Sequence, residues 1–311
     1  MEHRILGKTN LQVSRLGLGA AMHGDLQRPD EEVSRLLHHA LDVGVNFIDT
    51  AAMYNKSEER IGRFLASRRD EFFLATKCGT YRAGGRAGAE IVEDYSRAGI
   101  LRTVEESRAK LRMDVIDLVQ FHGLPPAELL DEAFETLMDI KARGWARFVG
   151  VSADGAAAAA LVGEAMTARD AAELSCRWPV DTWQFTYNIL YQEAATELMP
   201  ALKAAGIGTI VKRPISNAVW ERAEEPDSGF YRNPWLRARQ FPLEALAGDL
   251  SLVEFALRFV LSHADVDIAL SGTTNPEHLE MNIRGLETGA LPAALLRRTG
   301  AAFEAQFGAP S

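Results

Sequence analysis

Cysteine is scarce in this chain. Cys78 and Cys176 are the two in 311 residues, and they form no Cys-x-x-Cys or Cys/His cluster. A disulfide framework and a structural zinc site are therefore not expected, and a reducing cytoplasm is the expected location. No apolar run approaches the roughly 20 residues of a membrane span, and Met1-Glu2-His3-Arg4 opens no signal-peptide pattern. Excess basic charge is also missing. The net charge is −9, which argues against a nucleic-acid footprint. No low-complexity linker or shift in composition divides the chain, so residues 1–311 are expected to form one domain. Finally, no Gly-x-Gly-x-x-Gly follows an early strand, and Gly17-x-Gly19 is too short to serve. That counts against a doubly wound sheet, the alternative architecture.

What is present points to a large core and a regular alternation. The apolar fraction is 47%, ample for such a core, and the charged fraction of 25% is ordinary for a soluble protein. Two short runs around Gly7 and Asn10 predict an N-terminal β-hairpin. Strands are then predicted at Arg15 to Gly19, Phe47 to Ala51, Phe72 to Lys77, Ile116 to His122, Arg147 to Ser152, Thr182 to Asn188, Gly208 to Arg213 and Asp267 to Ser271. Helical patterns separate them: Pro29 to Val43, Ser57 to Ala66 with Ser57 as cap, up to Leu111, Leu129 to Arg143, the alanine run 156–160, Glu193 to Ala205, Ser251 to His263 and Pro276 to Gly285. A last helix begins near Pro292 and ends in a fraying tail. Two long loops, Gly79 to Arg97 and Ser216 to Gly248, interrupt the pattern. Eight strand–helix pairs in strict alternation predict parallel strands with crossover helices, a closed (β/α)8 TIM barrel whose site lies at the carboxyl ends of the strands.

Those strand ends carry the chemistry. Asp49, Lys77 and His122 close three successive apolar strands, and Tyr54 follows Asp49 by five residues. A buried acid needs a partner, and Lys77 is the nearest candidate in strand order. A phenol has an ordinary pKa near 10. A neighbouring ammonium favours phenolate and lowers that value, and His122 can orient a carbonyl oxygen or share the proton. A phenol tuned this way protonates a carbonyl oxygen as it becomes an alkoxide. No side chain delivers hydride, so a nicotinamide cofactor is expected.

With these residues in hand the chain resembles the aldo-keto reductases over nearly its full length. The likeness rests on Ile48-Asp49-Thr50-Ala51-Ala52-Met53-Tyr54 with Ser57-Glu58, on Ala75-Thr76-Lys77, on Asp117-Leu118-Val119-Gln120-Phe121-His122, on Val149-Gly150-Val151-Ser152, on Gln184 with Tyr187-Asn188, and on the segment from Gly272 to Asn282. The resemblance implies a catalytic tetrad of Asp49, Tyr54, Lys77 and His122, with Tyr54 as general acid/base. It also implies NADP(H) lying across the barrel mouth, with Ser152 and Gln184 on the nicotinamide carboxamide. Lys212, Arg213, Pro214 and Ile215 would line its path, and Gly272, Thr273, Thr274, His278 and Asn282 would hold the adenosine end. No metal is implied. The departures are Asn55 where the family has Gly, Ala153 where it has Asn, and Lys212-Arg213-Pro214-Ile215 where many members have Tyr-Ser-Pro-Leu, the tyrosine stacking on nicotinamide. Gly272 and His278 stand where the strongest NADPH binders carry Lys and Arg. A modest preference for NADPH/NADP+ is expected, with NADH/NAD+ also used.

The expected reaction interconverts a carbonyl (aldehyde, aldose or small ketone) with its alcohol, and sugar dehydrogenation is the oxidative variant. Substrate-facing residues are expected in the long loops: Tyr81 and Tyr95 in the first, and Trp220, Phe230, Tyr231 and Trp235 among Arg222, Arg232, Arg237 and Arg239 in the second. Two readings of other classes remain open at the sequence level. One is a Schiff-base lyase with Lys77 as nucleophile. The other is a non-catalytic, cofactor-sensing partner subunit, a role known among channel-associated members of the family. A small-molecule partner is expected, and the oligomeric state is unassigned.

Overall fold

The computed structural model describes residues 1–154, 177–196 and 198–308. The alanine run 156–160, Cys176 and the final residues 309–311 lie outside the described residues. A hairpin of β1 (His3–Ile5) and β2 (Gln12–Ser14) comes first. Among the described residues, eight parallel strands then close a barrel. In order around it they are β3 (Leu16–Gly19), β4 (Phe47–Asp49), β5 (Phe73–Cys78), β8 (Ile116–His122), β9 (Ala146–Ser152), β10 (Thr182–Thr186), β11 (Gly208–Lys212) and β12 (Ile268–Ser271), which returns to β3. Helices flank the strands on the outside, as predicted.

Strand alternation explains both the core and the site. Along β5, Leu74 and Cys78 point outward into the apolar layer beneath the helices, while Ala75 points into the barrel. The same period of two turns Ile48, Val119, Phe121, Val151, Trp183, Phe185 and Val211 outward. Phe47, Leu118, Ile210, Ile268 and Leu270 fill the inside with Ala75, and Leu6, Leu11 and Val13 of the hairpin region plug its amino-terminal end. Asp49, Lys77, His122, Ser152, Gln184 and Lys212 have the inward parity, one layer above this plug. The register brings them together, pairing Asp49 with Ala75, His122 with Ser152, Ser152 with Gln184, and Thr186 with Lys212.

Three local expectations need correction. Ser57 is not a cap: the helix Ser57–Phe64 begins at Ser57 with Lys56 as cap residue and no side-chain cap. The Ser57 hydroxyl donates to the Ala20 carbonyl at 2.9 Å and accepts from Thr50 at 2.8 Å, which ties two strand ends to the helix. The Gly79–Arg97 loop contains a two-stranded ribbon, β6 (Thr80–Arg82) with β7 (Ile91–Glu93). The Ser216–Gly248 loop is largely helical, with helices Gly229–Gln240 and Leu243–Ala247. Pro234 inside the first of these hid it, because proline removes a donor and usually breaks a helix. Side-chain ties hold it instead: Trp235 Nε1 donates to the Arg222 carbonyl at 3.0 Å, and Arg237 pairs with Glu193 at 3.1 Å while stacking on Tyr191 and Phe307.

Candidate active site

Lys77 anchors the site. Its ammonium donates to Asp49 Oδ1 at 2.7 Å, to Asp49 Oδ2 at 2.6 Å and to the Thr50 carbonyl at 2.9 Å. Both side chains are buried, so each charge depends on the other. All three ammonium protons have acceptors, an arrangement that disfavours use of the nitrogen as an imine-forming nucleophile. Lys77 Nζ lies 5.5 Å from the centre of the Tyr54 ring. The Tyr54 ring meets His122 edge-on, with centroids 5.6 Å apart and an interplanar angle of 88°. The four residues expected to act together are brought into one cluster.

The turn that presents Tyr54 is built from small residues and a left-handed asparagine. Gly24 backs it so closely that a Cβ there would lie 1.9 Å from the Tyr54 carbonyl oxygen. Asn55 adopts φ +44°, the region glycine favours and asparagine tolerates. Its side-chain oxygen accepts from the Gly88 N–H at 3.0 Å. The departure from glycine therefore preserves a left-handed turn. His122 is fixed from behind, where Tyr95 donates its hydroxyl to the His122 carbonyl at 2.6 Å and Thr80 does so at 3.2 Å. Tyr95 is thus a buried support, not a substrate contact, and its ring packs on Phe121. Tyr81 is likewise turned to Asp94 and Arg102.

The electrostatics refine the expectation for Tyr54. Burial pushes the phenol above its ordinary value, the Lys77 charge pulls it down, Asp49 pushes it up and Arg213 pulls it down. The net direction is upward, so Lys77 moderates a desolvation effect and does not overcome it. For His122, burial comes first, with Lys77, Lys212 and Arg213 adding to it. Together they hold the imidazole well below its usual range, hence neutral at physiological pH. Cys78, beside Lys77, is pushed up to about 12 by burial and is inert as a nucleophile.

Farther round the mouth, Gln184 donates its amide to Asp49 Oδ1 at 3.1 Å, a link not anticipated from sequence. Its carbonyl oxygen Oε1, Ser152 Oγ and His122 Nδ1 are buried with no hydrogen-bond partner among the described residues. Orphaned buried polar atoms are costly and call for a ligand. A carboxamide presents two N–H donors and one acceptor, which fits Gln184 Oε1 and Ser152 Oγ on adjacent strands. The residues present therefore fit the nicotinamide group.

Sequence reasoning missed Asp154, two residues after Ser152. Its buried carboxylate lies 3.2 Å from both Lys212 Nζ and Arg213 Nη1, and it accepts the Thr186 N–H at 2.7 Å. Burial pushes this carboxyl up, but Lys212, Arg213 and Thr186 outweigh that and leave it below its ordinary value. Arg213 sits at φ +55°, and Ser216, Asn217 and Ala218 follow in the same region. Pro214 lies between them, and Ile215 packs on the core. At the eighth strand, Gly272 is exposed with open space around it, and His278 is exposed on the helix Pro276–Glu287. Thr273 Oγ1 accepts from the Asn275 N–H at 3.1 Å, Thr274 is half-buried beside it, and Asn282 donates to Ser271 Oγ at 3.0 Å. These residues form one continuous rim from β8 to β12.

A closed parallel barrel with this polar ring at its carboxyl mouth defines a (β/α)8-barrel protein with the site where such barrels place it. The chain belongs to the aldo/keto reductase family, whose profile matches residues 15–299. It is 27% identical over 296 residues to the uncharacterized oxidoreductase YqkF of Bacillus subtilis, covering 91% of this chain and 90% of that protein. It is 28% identical over 303 residues to the D-threo-aldose 1-dehydrogenase of a Pseudomonas species, covering 88% and 89%. Among solved structures, the holo form of aldo-keto reductase AKR11C1 from Bacillus halodurans superposes with a TM-score of 0.80 at 26% identity, covering 100% of this chain and 98% of that one. Family membership makes the protein an oxidoreductase of a nicotinamide-using family. Among the described residues, no helix is long and apolar enough to cross a membrane, and no cluster suited to a metal ion occurs.

Proposed function

We propose that the protein reduces a small aldehyde, aldose or ketone to its alcohol, with Tyr54 as the proton donor. The observation that carries this reading is the single cluster of Asp49, Lys77, Tyr54 and His122, beside the orphaned Ser152 and Gln184 atoms. When bound, a nicotinamide cofactor supplies the hydride. Ser152 and Gln184 would hold its carboxamide. Lys212, Arg213, Pro214 and Ile215 would line its path, and Gly272, Thr273, Thr274, His278 and Asn282 would meet its adenosine end. Tyr54 gives its phenolic proton to the carbonyl oxygen as negative charge develops there, and Lys77 stabilises the phenolate left behind. Asp49 holds Lys77 in place and aimed. The neutral His122 orients the carbonyl oxygen without competing as an acid.

The same groups work in reverse, with Tyr54 phenolate taking the proton of an alcohol. Likeness to a protein named for aldose dehydrogenation favours this direction as a second reading. The cofactor expectation is a modest preference for NADP(H), since Gly272 brings no charge and His278 cannot form the bidentate fork of an arginine. A spectrophotometric screen of NADPH and NADH oxidation against aldehydes, ketones and sugars tests the reading. Turnover of unactivated aldehydes supports it. Absence of turnover on every carbonyl, in both directions and with both cofactors, sinks it and favours a cofactor-sensing subunit.

A further inference from the structure

The charges around the mouth do not balance. Asp49 is matched by Lys77, and His122 is neutral. Asp154 faces two cations through one oxygen, Oδ2, because its other oxygen accepts the Thr186 N–H. Among its described residues the site thus holds one more basic side chain than acidic partners, and burial, with Arg213 beside it, pushes the Lys212 ammonium below its ordinary value although Asp154 opposes this. Such a charge in a partly desolvated place is costly unless something anionic joins it. The open donors are identifiable. Arg213 Nη1 is taken up by Asp154 and Thr186, and the guanidinium plane is covered by the Phe230 ring at 4.5 Å. Its Nη2 and Nε meet no acceptor among the described residues. That free edge is the planar fork that grips a carboxylate with two parallel bonds. The side chains of Lys212 and Arg213 are 20% and 18% exposed, so a ligand in the mouth can reach both.

We propose that Lys212 and Arg213, tethered by Asp154 and oriented by Phe230, receive a carboxylate carried by the substrate itself. The reacting carbonyl would then belong to an acid, such as a formyl acid, an oxo acid or a sugar acid. The proposal rests on the reductase reading above, which supplies the reaction but not this choice of substrate. The strand register joins the cluster to the reacting groups, pairing His122 with Ser152, Ser152 with Gln184 and, one inward position farther on, Thr186 with Lys212. A phosphate of the cofactor has similar anion chemistry, and the test below separates the two sources. Asp154 is a positioning residue in this scheme. It holds two mutually repelling cations side by side so that their free donors converge.

The test compares two aldehydes that differ in one charge, 4-formylbenzoate and its methyl ester. Wild type should show kcat/KM at least tenfold higher for the acid, and the ratio should fall toward one in both Arg213→Met and Lys212→Met. A ratio near one in wild type, with both aldehydes reduced, overturns the proposal and leaves the reductase reading intact. A ratio preserved in the variants while their NADPH affinity drops assigns the cations to a cofactor phosphate and also overturns it. Calorimetric titration with benzoate, against benzamide as neutral control, needs no turnover. Benzoate should bind wild type and bind Arg213→Met at least tenfold more weakly. Equal binding to both, or none to wild type, overturns the proposal even if neither aldehyde reacts. Thermal unfolding of both variants shows that they are folded.

Discussion

At the amino-terminal end of the barrel, Asp117, Asp181 and Asp267 each accept a backbone N–H from the neighbouring strand, those of Leu74 at 2.9 Å, Val149 at 2.9 Å and Thr209 at 3.1 Å. Asp267 also accepts the Gly7 N–H at 3.1 Å, which pins the plugging hairpin. At the carboxyl end, the Asp49 carboxylate accepts from the Lys77 and Gln184 side chains and from no backbone N–H among the described residues, and Asp154 combines one backbone N–H with two cations. The acids are alike in type and burial, and Asp117 and Asp181 also meet cations, Arg69 and Arg147 on the first and Lys141 on the second. Those cations are 31%, 48% and 37% exposed, whereas Lys77, Lys212 and Arg213 are 2%, 20% and 18% exposed. A carboxylate bonded to a neighbouring strand fixes register, and its loss orphans a backbone donor. A carboxylate bonded to a buried cation is expected to set the field of the mouth, so its loss should alter chemistry or binding. The two ends therefore differ in how deeply the paired cation is buried, not in the presence of an acid.

Mutations can break or sharpen that division. The largest effect is expected from Tyr54→Phe, which removes the phenolic proton and little else. Loss of a general acid costs about 10²–10⁴-fold, so kcat should fall at least that far while NADPH affinity, read by fluorescence titration, stays close to wild type. Near wild-type turnover of an unactivated aldehyde would remove Tyr54 from the mechanism. Next comes the double change Gly272→Lys with His278→Arg. Open space at Gly272 and exposure of His278 admit both side chains. Two added charge-assisted bonds of roughly 1.5–3 kcal/mol each should raise the ratio of NADPH to NADH affinity by tens-fold or more. An unchanged ratio would place the 2′-phosphate elsewhere.

Asp49→Asn should lower kcat by less than Tyr54→Phe does, because it loosens Lys77 without removing it. The smallest effect on turnover is expected at the opposite end. Asp117→Asn should leave kcat within about twofold, while weakening the clip on Leu74 lowers stability by about 1–3 kcal/mol. Arg69 and Arg147, its cationic partners, are 31% and 48% exposed, so solvent screens part of what the lost charge would cost. If Asp117→Asn reduced kcat as much as Asp49→Asn, at equal melting temperature, the proposed division between the ends would fail.

The sequence made the tetrad legible because alternation and strand ends are periodic signals. Asp49, Lys77 and His122 share one parity on three strands, and Tyr54 follows at a fixed interval. Asp154 was not legible, because its partner cations are encoded 58 and 59 positions later. The contact of Gln184 with Asp49 spans 135 positions, and no local pattern reports it. The helix Gly229–Gln240 was hidden by Pro234, and Tyr95 looked like a loop aromatic because its hydroxyl acceptor is a backbone carbonyl on another strand. Local signals brought out the clustered residues, whereas the bonds that hold them together arise between strands far apart in sequence.

The coupling of Tyr54 to Lys77 is the centre of the account, and the pH dependence of alcohol oxidation reads it most directly. Oxidation needs the phenolate, so its rate rises with pH as Tyr54 ionises. Burial already pushes that phenol up and Lys77 holds it down. Removing the cation in Lys77→Met should move the rise to higher pH, or abolish turnover if the phenolate becomes inaccessible. His122 is held well below its usual range, so neither enzyme should show an inflection near neutral pH from the imidazole. Profiles of wild type and Lys77→Met that overlay would contradict the coupling.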